Sequence, residues 1–169
     1  CEDFLNSLEI SSKIILKDFH KWYEQSGLVN LNITRSKNKN NKLVINLSQS
    51  CENFKYPLPI LIKFSLIDKY GNFIKFKINN EVIKKEQIHV FKKMNEKLIF
   101  SNIDSSVIPS LLRNFSSPVN LKTDFKPKDY LHLLKFDDDD FNKWDASQSL
   151  HLYYSNYNGI ENFTNNIND

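Results

Sequence analysis

The spacing of apolar residues along the chain changes from a helical period to a strand period after Gly27, and it changes back after Pro127. Between these points, runs in which every second residue is apolar are separated by short clusters of Asn, Lys, Pro and Gly, which are typical of turns. A period of two places alternate side chains on one face of a sheet, so that face must pack against another layer. The apolar runs lie at residues 31–33, 43–47, 60–66, 73–78, 88–91, 98–100 and 119–122.

The number and size of these runs predict the fold class. About seven short strands within roughly 95 residues are typical of an immunoglobulin-like sandwich. We therefore predict a mainly β fold, an immunoglobulin-like antiparallel β-sandwich over residues 28–124, flanked by short α-helical segments at both ends.

Helical spacing indicates where these flanking segments lie. Residues 4–23 fit two short helices, of which the second opens at Lys17 and Asp18 and is closed by Ser26 and Gly27. Beyond Pro127, helical spacing returns in residues 130–134 and 141–153. The Asn-rich end, residues 156–169, is predicted to be a loop or a frayed terminus. The tyrosines near this end indicate a helix that docks on neighbours outside the chain: Tyr153, Tyr154 and Tyr157.

Charge and composition argue against several classes of partner. The net charge is only +3, and 21 Lys and 2 Arg are interspersed among 20 Asp and Glu. Domains that bind nucleic acid usually carry a basic stripe and favour Arg, whose planar guanidinium forms two hydrogen bonds with a phosphate. No apolar run approaches the ~20 residues that cross a bilayer, and no signal peptide opens the chain. We therefore expect no nucleic-acid partner, no membrane partner and a cytoplasmic location.

The cysteines and the first residue add two expectations. Cys1 and Cys51 are the only cysteines, too few for a disulfide framework or a zinc-ligand pair, which favours a reducing compartment. Because the chain begins at Cys1 inside a helix-like pattern, we expect it to be a segment of a longer protein.

The residue types that carry catalysis do not occur in recognisable arrangements. A His-Glu-x-x-His zinc motif and a Gly-rich phosphate loop are both absent from the sequence, and Ser26 lacks the flanking residues of a nucleophile elbow. We therefore predict no catalytic, cofactor-binding or metal-binding residue in this segment. The histidines are interpreted as surface or core residues: His20, His89, His132 and His151.

The acidic run Asp137–Asp140 is the sharpest electrostatic feature of the sequence. A calcium loop needs acidic residues at alternate positions, with a central Gly and a distal Glu. The acids of this run are consecutive, and the central Gly and the distal Glu are missing. We interpret it instead as an acidic helix N-terminus, where carboxylates cap free amides and complement the helix dipole.

Three phrases of the sequence, in the same order, resemble bacterial-type aminopeptidase N, a family of zinc metallopeptidases. The first is Asp18–Gly27, which contains Trp-Tyr-Glu-Gln-Ser-Gly, although Leu28 and Val29 stand where the family has Thr-Pro. The second is Pro109–Val119, which is similar to the family's Pro-x-x-Leu-x-x-x-Phe-Ser-Ala-Pro-Val. The third is Asp140–Leu150, with Trp-Asp-Ala-Ser-Gln. The resemblance covers residues 1 to 152.

This resemblance implies the role of the whole protein and the place of the segment within it. The parent would remove N-terminal amino acids from peptides, with a zinc-bound water, a Glu base and an oxyanion-stabilising Tyr in an upstream catalytic domain. Residues 1–27 would be the helical end of that domain, 28–124 a linker sandwich and 125–169 the start of a C-terminal helical domain. The expected partners are those two domains of the same chain, and peptides would be reached only through the parent.

Two other interpretations remain open from the sequence. The chain could be a stand-alone β-sandwich recognition module, such as an adhesin or a carbohydrate-binding domain, although its helical ends would then have no purpose. It could also be a scaffold relative of the peptidases that has lost its catalytic domain.

Overall fold

The structure is a computed structural model that describes residues 18–24, 26–40, 42–52, 56–78, 81–83 and 85–156. Within these ranges nine strands form three sheets, and helices follow them on the C-terminal side. None of the helices in these ranges is long and apolar enough to reach across a bilayer. The strands are β1 Asn30–Lys37, β2 Lys42–Ser50, β3 Ile60–Ile67, β4 Phe76–Ile78, β5 Glu81–Ile83, β6 Glu86–Phe91, β7 Asn95–Asp104, β8 Ile108–Ser110 and β9 Asn120–Thr123.

Two of the sheets form the body of the fold. One has the order β7-β2-β1-β9 and the other the order β6-β3-β8, while β4 and β5 form a small hairpin. The long β1–β2 ladder pairs eight consecutive positions, from Asn30 opposite Ser50 to Lys37 opposite Leu43. The predicted mainly β fold is confirmed.

One pairing corrects the prediction of an antiparallel sandwich. Strand β9 runs parallel to β1, with Asn30 opposite Asn120 and Ile33 opposite Thr123, whereas the other strand pairs in the described residues are antiparallel. A parallel pair needs a long connection between its strands, and here the rest of the sandwich supplies it. Sequence spacing shows only that a strand exists, so it could not distinguish the two directions.

The main hydrophobic core lies between the two larger sheets, because alternate residues of β1, β2 and β3 point inward. Leu31 and Ile33 are at most 1% exposed, as is Phe64 on the opposite sheet. The Phe64 ring contacts those of Phe76 and Phe100, with centroids 5.3 and 6.3 Å away, so the core includes β4 and β7 as well. Aromatic contacts of this kind add stability beyond the buried area.

The α-helices lie outside the sandwich, mainly on its C-terminal side. On the C-terminal side, α2 spans Pro127–Phe136 and α3 spans Asp140–Asn156, which confirms the return of helical structure after Pro127. On the N-terminal side only one turn is described, α1 Lys21–Glu24. The first predicted helix lies outside the described residues, as do Cys1 and Tyr157. Of the two predicted helical flanks, the described residues show clearly the one on the C-terminal side.

Candidate domain junction

Arg113 is a charged residue at the boundary between the sandwich and the helices, and it is only 5% exposed. It begins a one-turn 3-10 helix, Arg113–Phe115, soon after β8. The backbone here is unusual, because Leu112, Asn114 and Phe115 have φ angles of 51°, 54° and 53°. A left-handed conformation at non-glycine residues is strained and persists only where the surroundings hold it.

The guanidinium of Arg113 connects two strands to the link between α2 and α3. Its Nε donates to Glu86 of β6 at 2.8 Å, and its Nη1 donates to Ser110 of β8 at 2.8 Å. Nη1 also donates to Asp137 at 2.7 Å, and Nη2 donates to Asp138. The side chain of Asp137 has no exposed surface, so this ion pair is buried. A planar fork of donors suits such a site better than a Lys ammonium would.

The acidic run therefore serves two purposes. Asp139 caps α3, because its Oδ1 accepts a hydrogen bond from the backbone N–H of Asn142 at 3.0 Å, which confirms the predicted helix N-terminus at this residue. Its Oδ2 accepts from the backbone N–H of Asn114 at 2.8 Å and so holds the strained turn. Asp137 and Asp138 instead neutralise Arg113, a role that the run of acids in the sequence did not indicate.

Arg35 of β1 forms a second connection at the start of α2. Its Nη2 donates to Asp129 at 2.6 Å and its Nε donates to Asp124 at 3.2 Å. The guanidinium also lies 4.7 Å from the centre of the Phe125 ring, a favourable cation–π distance. Asp129 in turn accepts from the backbone N–H of Lys126 at 2.9 Å, which caps the helix. Both arginines of the chain thus tie the helices to the sandwich.

Apolar contacts complete the junction. A second hydrophobic cluster joins Ile67 of β3 and Ile108 of β8 to Leu133 of α2 and Ala146 of α3. At the far end of α2, the ring of Phe136 lies over Gly71, which has a φ of +91° in the turn after β3. The junction therefore combines charged, apolar and close-packed contacts between the sandwich and the helices.

The carboxylates around Arg113 have shifted pKa values. Burial alone would raise the pKa of Glu86, but hydrogen bonds from Lys63 and Arg113 outweigh it and bring the pKa below its ordinary value of 4.5. The same balance, with Lys85 and Arg113 as donors, brings the pKa of Asp138 below 3.8. A lowered pKa means that the folded state favours the ionised carboxylate.

The junction is therefore expected to weaken in acid. The contribution of Glu86 and Asp138 is fully present above their unfolded pKa values and is lost as the pH falls through the lowered folded values. We expect the free energy of unfolding, measured by urea titration, to fall between about pH 5 and pH 3. The fall should be smaller in Arg113→Met, which lacks the shared donor, and equal falls in both proteins would contradict this account.

The residues singled out from the sequence lie apart from one another in the described part of the chain, and most of them have local partners. Nowhere in the described ranges do three or more His, Cys, Asp or Glu residues approach closely enough to hold a metal ion. His89 pairs with Glu96 at 2.8 Å, and the ring of His132 packs against Phe136 at 4.8 Å. Cys51 forms no disulfide, and its thiol donates to the backbone carbonyl of Ser26 at 3.6 Å. The sequence-based prediction assigned no role to the two arginines, although their rarity beside 21 lysines could have indicated one.

Comparison with known proteins identifies the sandwich. Residues 27–124 match the family described as DUF3458, a domain of unknown function with an Ig-like fold. The chain belongs to this family. The match begins at Gly27 and ends at Asp124, so the DUF3458 domain is the sandwich itself, and both the Arg113 turn and β9 lie within it.

Three proteins to which this DUF3458 chain is similar are aminopeptidases. It is 35% identical over 156 residues to aminopeptidase N of Haemophilus influenzae, covering 89% of this chain and 18% of the relative. It is 27% identical over 164 residues to aminopeptidase N of Escherichia coli, covering 94% and 19%. A solved structure of Legionella pneumophila aminopeptidase A in complex with aspartic acid matches with a TM-score of 0.72 and 29% identity, covering 88% and 16%. The chain thus spans less than a fifth of the length of each of these relatives.

Proposed function

We propose that this chain is the non-catalytic structural domain of a zinc-dependent aminopeptidase N, a peptidase that removes N-terminal amino acids from peptides. The domain would position the C-terminal helical domain against the catalytic domain. The observation that carries the proposal is the Arg113 junction, because a buried guanidinium joins two strands of the sandwich to the link between α2 and α3. Rigid attachment of helices is what a spacer between two domains requires.

We propose the same domain boundaries for the parent as the sequence indicated. Residues 1–27 are the end of the catalytic domain, 28–124 the spacer and 125–169 the start of the helical domain. The family match over residues 27–124 supports these limits. The salt bridge between Arg35 and Asp129 also supports them, because it ties the spacer to the first turn of α2.

The chemistry would belong to the other parts of the parent. Zinc would bind in the upstream catalytic domain and would activate a water molecule and polarise the peptide carbonyl there. The peptides would meet this segment only through the parent, and its partners would be the catalytic and C-terminal helical domains. We also propose a cytoplasmic location, in keeping with the low cysteine content of the chain.

An activity assay with two proteins tests this proposal. The full-length protein is expected to cleave an alanyl arylamide, and a chelator should abolish the cleavage. The 169-residue chain alone should release no product under the same conditions. An inactive full-length protein that binds no zinc would refute the peptidase assignment, and chelator-sensitive cleavage by the short chain would refute the structural role.

Full-length Arg113→Met separates positioning from chemistry. If the junction orients the helical domain, the variant should keep its zinc and its activity on the arylamide but change the ratio of kcat/KM between long and short peptides. The matched control is Lys85→Met, which removes an exposed partner of Asp138 and should leave that ratio unchanged.

A further inference from the structure

A groove on the helical side of the junction contains an acidic residue that has no partner in the described part of the chain. The groove has a volume of about 420 Å³ and runs between strand β9, at the edge of its sheet, and the helices α2 and α3. Its walls include Val119 and Leu121 from the strand side and Phe141 from α3, and Asp145 opens into it one turn after Phe141.

The carboxylate of Asp145 differs from the other buried carboxylates of the helical segment. Asp129, Asp137 and Asp139 all accept hydrogen bonds from an arginine or from backbone amides. Asp145 is half-buried, and across residues 18–156, wherever the structure describes them, its carboxylate forms no hydrogen bond and no ion pair. Burial is the cause that raises its pKa. An ionised carboxylate among apolar walls is costly unless a donor or a cation compensates it.

The rim of the groove is aromatic and open. Phe115 and Trp144 are 55% and 58% exposed, and both rings contact Phe141, with centroids 5.1 and 5.9 Å away. Exposed apolar surface next to an unpaired charge is typical of a contact site rather than of a solvated face. Its chemistry fits a side chain with an apolar stem and a positive end, which is the chemistry of Lys and Arg.

We propose that this groove receives a basic side chain, flanked by apolar residues, from a part of the parent protein beyond these 169 residues, and that its cation pairs with Asp145. The proposal rests on the proposed function, in which more than four-fifths of the protein lies outside this chain, as it does in the aminopeptidase N relatives. The residues directly after α3 cannot supply the cation, because residues 157–169 contain no Lys or Arg.

Hydrogen exchange of the full-length protein, followed by mass spectrometry on peptides from α3, tests the pairing. Asp145→Asn should make these peptides exchange at least about tenfold faster, because it leaves a desolvated cation without its counter-charge. Asp145→Ala should behave similarly. Asp140→Asn is the matched control, since it neutralises an exposed carboxylate of the same helix and should change exchange about twofold or less.

Three results would overturn the proposal. Unchanged or slower exchange in Asp145→Asn would show that the carboxylate has no cation partner in the parent. Faster exchange in Asp145→Ala but not in Asp145→Asn would point to neutral donors, for which the amide oxygen of Asn is a sufficient acceptor. A change that depends on protein concentration would assign the groove to a second copy of the chain.

The same protein preparations distinguish this inference from the proposed function. Cleavage of the alanyl arylamide and zinc content are measured on the wild-type protein. If it cleaves nothing, the peptidase assignment fails while the exchange data still decide the pairing. If it is active and Asp145→Asn exchanges like wild type, only the pairing fails.

Discussion

Arg113→Met is expected to lower the free energy of unfolding of the chain by about 3–5 kcal/mol, because it removes one member of a buried ion pair. Methionine keeps the length and much of the volume of the side chain but leaves Asp137, which has no exposed side-chain surface, without its cation. It also removes the donors to Glu86 and Ser110, so strands β6 and β8 lose the hydrogen bonds that Arg113 makes to them. Urea unfolding followed by circular dichroism would measure the change.

Two further variants separate charge from packing at Arg113. Arg113→Met combined with Asp137→Asn should recover part of the loss, since the uncompensated carboxylate is then gone and the amide oxygen can still accept from the backbone N–H of Asp139. Lys85→Met removes a half-exposed partner of Asp138 and should cost less than about 1 kcal/mol. A loss below about 1 kcal/mol in Arg113→Met itself would show that the buried pair does not hold the junction.

Gly71→Ala is expected to cost about 2–5 kcal/mol, because two effects act on the same methyl group. The φ of +91° at Gly71 is strained for any residue with a Cβ atom. The added carbon would also lie 2.6 Å from Cγ and 2.7 Å from Cε1 of Phe136, well inside van der Waals contact. The turn cannot move easily, since the carboxylate of Asp68 accepts hydrogen bonds from the backbone N–H groups of Tyr70 and Asn72.

Gly27→Ala provides a matched control for the backbone effect. Its φ is +104°, but among the described residues the added Cβ would meet just the Cys51 sulfur, at 3.2 Å, so the cost should be about 1–2 kcal/mol. Thermal or urea unfolding of both variants gives the comparison. Gly71→Ala combined with Phe136→Ala should be more stable than the sum of the single changes predicts, because the clash is then absent. Strict additivity would indicate that Phe136 does not pack on this turn.

The alternating pattern of apolar residues was sufficient to predict the long strands of the sandwich. Ile60, Ile62 and Phe64 alternate with half-buried residues in β3, and all three are at most 1% exposed. The same rule located α2 and α3, whose apolar residues follow a helical period. Periodicity works at β3 because one face of the strand is buried along its whole length, whereas α3 buries Ala146 and Leu150 but leaves Leu152 and Tyr153 60% and 40% exposed.

Two of the short strands could not be found in this way, whereas the four-residue β9 was predicted from the run at 119–122. Strands β5 and β8 have three residues each, too few to show an alternation, and the predicted strand over residues 73–78 is reduced to Phe76–Ile78. Pro109 also lies in the middle of β8, where a proline argues against a strand in a sequence. It is tolerated because β8 is at the edge of its sheet. The edge position of β8 can be read only from the assembled sheet.

The contacts of the Arg113 junction were predicted less well than the short strands. Arg113 meets Glu86, 27 positions earlier in the chain, and Asp137, 24 positions later, so no local pattern contains the cluster. The resemblance to aminopeptidase N pointed to this part of the sequence through the phrases Pro109–Val119 and Asp140–Leu150, yet it assigned no role to its residues. The three-dimensional structure was needed to bring the acidic run and the arginine together.

The parallel pairing of β1 and β9 has a mechanical consequence. These two strands begin and end the sandwich, they point the same way, and they are in register at four positions from Asn30 to Ile33. Tension between the preceding and following segments would slide one strand along the other, so the hydrogen bonds between them would bear the load together. An antiparallel pair pulled from the same end would separate one bond at a time. If the sandwich is the spacer proposed above, this pairing would transmit force between the neighbouring domains rather than yield to it.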